Sequence, residues 1–483
     1  MSIEVPLTLG RPIPAPQPAQ GPGMAEREAL LAAVELRLSQ AVGSCPRGEG
    51  LISVTLSVPE LGPCLEGHPG SGATVCWADA TGGLRRMAVG AAVRVEADGA
   101  RRLSSIDREL ERLRRAWLRL EPDGTALPAE AFLGFGFPAR APGGCGPPPA
   151  RLLVPQLLAQ WTAECCVISF SARRSGARDP AELAREWVCR LRHWLMVPAG
   201  LLAAPGPPPD PRPVSTTLDR SAWVVRVGQA LEYIASGRVE KLVLARGLRV
   251  RARRAFDLCA LWERLALRYP NCVRFAVRGP EGWLVGASPE RLVGLEGGWL
   301  KTDALAGTAR RHADPAQDRH QGQMLQNDTK MAHEHGLVVR ALESALGPLC
   351  GEFERPPAPQ LRTLANVHHL WTPLSGRLRG QASVLELAGR IYPTPSVSGW
   401  PVEEACRWLS DHEGLDRGWY TGAIGWVEGS GGVLDLVLRS ALITGAEAQL
   451  YAGAGIVCGS DPDQEFEETE WKLKAMLDAL AHA

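Results

Sequence analysis

The chain has 483 residues, 45% of them hydrophobic and 22% charged, a balance that allows a large buried core and excludes a fibrous or wholly disordered protein. Its 53 basic residues equal its 53 acidic ones, so no overall field favours nucleic acid or an anionic membrane, and a charged ligand must be met by local groups. No apolar run is long enough to span a bilayer, and the N-terminus has neither signal-peptide nor transit-peptide character, so a cytoplasmic location is expected.

Residues 1–23 are rich in proline, which fixes φ and removes backbone donors, and read as a flexible arm. Helical apolar spacing follows over Ala25–Val42, Ile106–Leu120 and Pro180–Leu195, with strands at LISVTLSV and RLLVPQLL. The segment Gly200–Val214, GLLAAPGPPPDPRPV, reads as a linker or long loop and separates an N-terminal variable part, 24–214, from a catalytic region, 215–483. Beyond it a helix is expected over Thr217–Ser236, capped by Thr217 or Asp219 and ended by Gly237. KLVLARGLRV, VRFAVRG, GWLVGAS and LDLVLRSALI read as strands, interleaved with helices at Asp257–Tyr269, Lys330–Leu346 and Asp463–Leu480. The pattern is that of a mixed α+β fold. The 12 cysteines show no Cys-x-x-Cys spacing and read as reduced, mostly buried thiols.

In the last helix Glu465, Glu468 and Lys472 stand at i, i+3 and i+7 and share a face. Two carboxylates one turn apart can offer oxygens to a hard cation such as Mg2+. A solvated face with intrahelical ion pairs is the simpler reading of that helix alone. Glu334 lies on the apolar side of its helix, with Leu337 and Val338. His333 and His335 stand at i, i+2, on different faces, unlike the i, i+4 pair of a zinc helix. Glu290, in ASPERL, follows a proline at a strand end that can aim it into a cleft. DALAGTAR (303–310) offers backbone amides around Gly307 and Thr308 that can cradle an anion, and AGAG (452–455) permits a similar close approach. Neither run has the order of a nucleotide-binding loop.

Taken in order, VEKLVLAR (239–246), GASPERLVG (286–294), ALAGTAR (304–310), HEHGLVV (333–339) and VHHL (367–370) resemble the chorismate-utilising enzymes: the isochorismate, salicylate, anthranilate and aminodeoxychorismate synthases. PTPSVSGWP (393–401), GWYTGAIGWV (418–427), LVLRSALI (436–443) and YAGAGIVCGSDPDQEFEETEWK (451–472) extend the resemblance, and FLGFGF (132–137) adds a fainter one. It implies one compact α+β unit, a large core of two antiparallel sheets wrapped by helices, with the active site in a deep cleft. It also implies that the join near residue 214 falls within one fold. By the same resemblance Glu334, Glu465 and Glu468 look like an Mg2+ site. Arg439, Tyr420, Lys472, Gly453 and Gly455 look like holders of the substrate carboxylates, together with Gly307, Thr308 and Ser396, and His369 looks like the histidine beside the substrate ring.

Within this family Lys241 separates members, because those that add water carry a lysine there as general base and those that add ammonia generally do not. A lysine serves as a base near neutral pH where burial or nearby positive charge disfavours its ammonium form. Ala306 stands where the aminodeoxychorismate synthases carry a lysine, and no glutamine amidotransferase segment is appended. The resemblance therefore implies an isochorismate synthase acting on chorismate with Mg2+, as a monomer needing no amidotransferase partner. In it Lys241 activates water and Glu290 protonates the departing hydroxyl. Salicylate synthase is the alternative, and an aminating synthase or an inactive paralogue is less favoured. Ser396, Tyr392, Asp303 and Met331 depart from the residues usual at their places.

Overall fold

Two segments expected as single strands are each divided in the computed structural model, and both divisions carry the chain between sheets. RLLVPQLL breaks at Pro155, which has no N–H for a ladder; Ala150–Val154 joins one sheet and Leu157–Trp161 the other. LDLVLRSALI breaks around Arg439, so that Gly431–Leu436 and Ser440–Thr444 again lie in different sheets. The structure describes residues 24–45, 48–60, 73–124, 130–137, 149–162, 165–174, 179–196 and 209–483; the proline-rich arm at 1–23 lies outside them.

A 13-stranded sheet runs from an edge at Arg212–Thr216 through Lys241–Arg251, Glu447–Val457, Ser440–Thr444, Trp283–Ser288 and Val273–Arg278 into strands of the N-terminal half. A 10-stranded sheet contains Val367–Leu378, Trp299–Arg310, Arg291–Glu296, Gly431–Leu436 and Ala423–Glu428, and beyond them Ala131–Phe135, which holds most of FLGFGF. Each sheet thus joins strands from both sides of residue 214. In the segment read as a linker, residues 200–208 lie outside the described residues, whereas Arg212–Thr216 pairs with Lys241–Arg251 as a strand.

The helix expected over Ile106–Leu120 spans Arg102–Arg115, and Trp117–Leu120 instead forms a strand parallel to Gly50–Ser57. Sheet pairing there overrides a helical apolar pattern. Elsewhere the helices follow the expected spacing: Leu31, Val34, Leu38 and Val42 form the buried stripe of Met24–Gly43, each side chain worth about 1.5–3 kcal/mol on burial. Asp219, rather than Thr217, caps Arg220–Ala235 by accepting from the Ala222 amide.

Two helices position the chemistry. Thr329–Leu346 packs on Trp299–Arg310 and is capped by Asp328, while Pro462–Leu480 packs on Glu447–Val457 and is capped by Asp461 with Pro462 in its first turn. Cap and proline fix where each helix starts, and so where Glu334, Glu465 and Glu468 project.

Candidate active site

Strand Lys241–Arg251 pairs with Glu447–Val457 so that Val243 faces Gly455 and Ala245 faces Gly453. The glycines make the space. A Cβ on Gly455 would fall 2.0 Å from Glu334 Oε1 and 3.1 Å from Lys241 Cε, closer than atoms can pack. Into the space left open Lys241 extends, 1% exposed, and its Nζ donates to Glu334 Oε1 at 2.9 Å. Lys472 Nζ donates to the Gly453 carbonyl at 2.7 Å and to Glu468 Oε1 at 2.6 Å.

Strand Trp299–Arg310 carries a bulge between Ala306 and Thr308, where Gly307 adopts φ +76°, a left-handed conformation suited to glycine. The bulge sets Thr308 beside His369, whose Nδ1 lies 3.2 Å from both Thr308 Oγ1 and the Gly307 carbonyl. On the other side of the ring Arg439 Nη2 donates to His369 Nε2 at 2.9 Å. Burial first, then the Arg439 and Lys472 charges, push the His369 imidazolium well below its usual range, so the ring is neutral with its proton on Nδ1. Arg439 sits at the sheet crossover with φ +48°. Its buried Nη1 has no protein partner, which leaves a donor for an acidic ligand.

Glu290 joins Trp283–Ser288 of the larger sheet to Arg291–Glu296 of the smaller one. Burial pushes its carboxyl up to about 8, against the hydrogen bond that Ser396 Oγ donates to Oε1 at 2.7 Å. Asp303 reinforces the rise, while Lys241 and Arg362 oppose it. At neutral pH Glu290 is consequently a protonated acid.

One cavity of about 660 Å³, mouth included, is lined by Glu290, Gly307, Thr308, Glu334, His369, Ser396, Tyr420, Arg439, Gly453, Gly455, Glu468 and Lys472. Two residues expected in the site, Lys241 and Glu465, do not line it. Glu465 is held instead by Lys330 Nζ at 2.6 Å. Lys330 was missed in the sequence although its spacing, four residues before Glu334, places both on one helix face. His368 is structural: Asp318 and Thr363 engage its two nitrogens at 3.0 and 2.9 Å. His333 is exposed.

Glu334, Glu465 and Glu468 are each held by a lysine, and among the described residues no three His, Cys, Asp or Glu side chains form a ready metal cluster. The expected three-carboxylate arrangement is therefore not gathered at one point. The donor chemistry nevertheless fits a hard divalent ion, which takes one or two carboxylates with water and substrate oxygens. Burial, then repulsion from Glu468, raises the Glu465 carboxyl to about 7 despite Lys330. A cation would relieve that repulsion.

The fold and the cavity together define a small-molecule enzyme whose cavity presents Arg439 and Lys472 together with the acid Glu290. A family model described as chorismate binding enzyme matches residues 38–481, and the chain belongs to that family. It is 40% identical over 279 residues to the salicylate biosynthesis isochorismate synthase of Pseudomonas aeruginosa, covering 57% of this chain but only 58% of that protein. It is 34% identical over 334 residues to isochorismate synthase MenF of Bacillus subtilis, covering 68% and 69%. Among solved structures, the putative 2,3-dihydroxybenzoate-specific isochorismate synthase DhbC of Bacillus anthracis superposes with TM-score 0.66 at 27% identity, covering 86% of this chain and 97% of that one. The menaquinone-specific isochorismate synthase MenF of Escherichia coli gives TM-score 0.75 at 24% identity, covering 93% and 100%, and shows the same fold. Among the described residues no helix is long and apolar enough to cross a membrane.

Proposed function

We propose that the chain is an isochorismate synthase, converting chorismate to isochorismate with Mg2+. The observation that carries this reading is Glu290, a carboxyl held protonated near neutral pH in a cavity that also presents Arg439 and Lys472. An acid and two cationic holders suit a dicarboxylate that must lose a hydroxyl. The family's description as chorismate binding and the relatives' names as isochorismate synthases support the same substrate and product.

In this reading Arg439, with its free Nη1, takes a substrate carboxylate, and Lys472, Tyr420 and the backbone at Gly453 and Gly455 complete its seat. Thr308 and Gly307 fix the His369 ring beside the substrate ring. Glu290 gives its proton to the C4 hydroxyl as that group leaves. Lys241 takes a proton from water attacking C2, for which its pair with Glu334 has to open. One water enters and one leaves, so the net reaction is an isomerisation, and each proton transfer is worth about 10²- to 10⁴-fold. Glu334 and Glu468, with Glu465, would hold the ion; when bound it would supply charge for the substrate carboxylate and for negative charge developing in the displacement.

The test is to incubate purified protein with chorismate and Mg2+ and separate the products. Isochorismate alone is expected. Salicylate with pyruvate would show onward elimination, an amino product formed only with ammonium would show an aminating enzyme, and no turnover would overturn the assignment.

A further inference from the structure

Away from the cavity wall, Arg417 and Glu413 form a pair whose side chains are 0% and 4% exposed. Arg417 Nε donates to Glu413 Oε2 at 2.7 Å and Nη2 to Oε1 at 2.6 Å. The same guanidinium reaches two main-chain carbonyls from separate parts of the fold. Nη2 donates to Val243 O at 2.7 Å, two residues along the strand from Lys241, and Nη1 donates to Val397 O at 2.7 Å, next to Ser396. Glu413 Oε1 accepts from the Ala245 amide at 2.8 Å, and the Val243 amide donates to Ser398 O at 2.8 Å. Strand and loop are thus tied at several points. Ser396 in turn donates to Glu290. The Tyr420 amide donates to Arg417 O at 2.8 Å, adding the tyrosine of the cavity to the same frame.

We propose that the Arg417–Glu413 pair is the positioning device of this active site, fixing the strand that carries Lys241 against the loop that carries Ser396. The spacing between the water-side base and the acid Glu290 then depends on this planar guanidinium acting with the backbone bonds that pair the strand with Ser398 and Trp400. This rests on the roles proposed above for Lys241 and Glu290. A buried ion pair is by itself a poor source of stability. Arginine suits this place because its fork can serve a carboxylate and two carbonyls together, and a lysine cannot reproduce those directions.

The test uses Glu413→Gln, which keeps the side-chain shape and removes the charge that orients Arg417, and Arg417→Lys, which keeps the charge and removes the fork. Melting curves show the temperature range in which each variant is folded, and kinetics with chorismate and Mg2+ are read inside it. Positioning predicts that kcat falls about 10- to 10²-fold at saturating chorismate, the scale of a small misplacement, while KM changes less than about threefold. It also predicts that the alkaline limb of the kcat–pH profile moves to higher pH, because loosening the loop withdraws the Ser396 hydrogen bond that holds the Glu290 carboxyl down. The other charged groups acting on Glu290 are Asp303, Lys241 and Arg362, none of them altered. Ser396→Ala alone should move the limb likewise, and adding Glu413→Gln to it should move it no further. Lower melting temperatures with unchanged kcat, KM and pH limb would overturn the proposal, leaving a merely structural pair. Wild-type protein that makes no isochorismate would instead overturn the functional assignment beneath it.

Discussion

Lys241 and Glu334, the latter in the cavity wall, are bound to each other across 2.9 Å, so the proposed base and a proposed ligand of the cation share one ion pair. Neither can act without changing the other's partner. A cation that engages Glu334 and a lysine that accepts a proton are therefore coupled demands on one contact.

Lys241→Ala separates a base from a carboxylate holder. Loss of a base should depress kcat by about 10²-fold or more even at saturating chorismate, whereas loss of a holder would chiefly raise KM. Circular dichroism checks that the fold is intact. Added ammonium salt supplies free ammonia, which attacks without first being deprotonated, so it should partly restore turnover and yield an amino product; near-normal kcat without it would remove Lys241 from the mechanism.

Gly455→Ala tests the space that the pair occupies. The added methyl would sit 2.0 Å from Glu334 Oε1, so Glu334 must swing away and release Lys241. Turnover should fall by about 10-fold or more, and Mg2+ affinity measured by calorimetry should weaken. A crystal structure of the variant with the pair unchanged would refute this account.

Glu290 gives a pH dependence of definite sign. Its carboxyl rises from 4.5 to about 8, and it acts when protonated, so kcat should fall as pH rises through about 8. Stability follows the same direction: the folded state holds this proton more tightly, so its contribution is full below about 4.5 and is lost as pH rises towards 8. Glu290→Gln should cut kcat by about 10²-fold, and should raise the melting temperature relative to wild type more at pH 8 than at pH 4. Equal differences at the two pH values would mean that Glu290 is already ionised at neutral pH.

Removal of the ion should abolish activity and Mg2+ should restore it, because Glu465 remains raised to about 7 by burial and by Glu468 when only Lys330 opposes them. Glu468→Gln should weaken Mg2+ binding in a calorimetric titration and leave the circular dichroism spectrum unchanged. Full turnover in excess EDTA would contradict the metal assignment.

Much of the cavity wall was legible as short motifs. Glu290, Thr308, His369, Arg439 and Lys472 lie in segments whose order along the chain carries the family resemblance, and all five line the cavity. Lys330 escaped notice because a lysine at helical spacing from a glutamate reads as a common surface pattern, whereas here it is half-buried against Glu465. Glu413 and Arg417, four residues apart, gave no signal that they would bind the strand at Ala245 and Val243 and the loop at Val397.

The sequence by itself determined the α+β class, the positions of most helices, the candidate residues and the family, because helical periodicity, capping residues and motif order are local properties of the chain. Tertiary structure decided where the strands break. Pro155 and Arg439 mark crossovers between two sheets, yet an apolar run reads the same whether it stays in one sheet or changes to another. It also decided which charges meet: Lys241 and Glu334 lie 93 positions apart in the chain and are brought within 2.9 Å only because Gly455, on a third segment, has no side chain to keep them apart. Ion pairing depends on distance through space, and local sequence does not encode that distance.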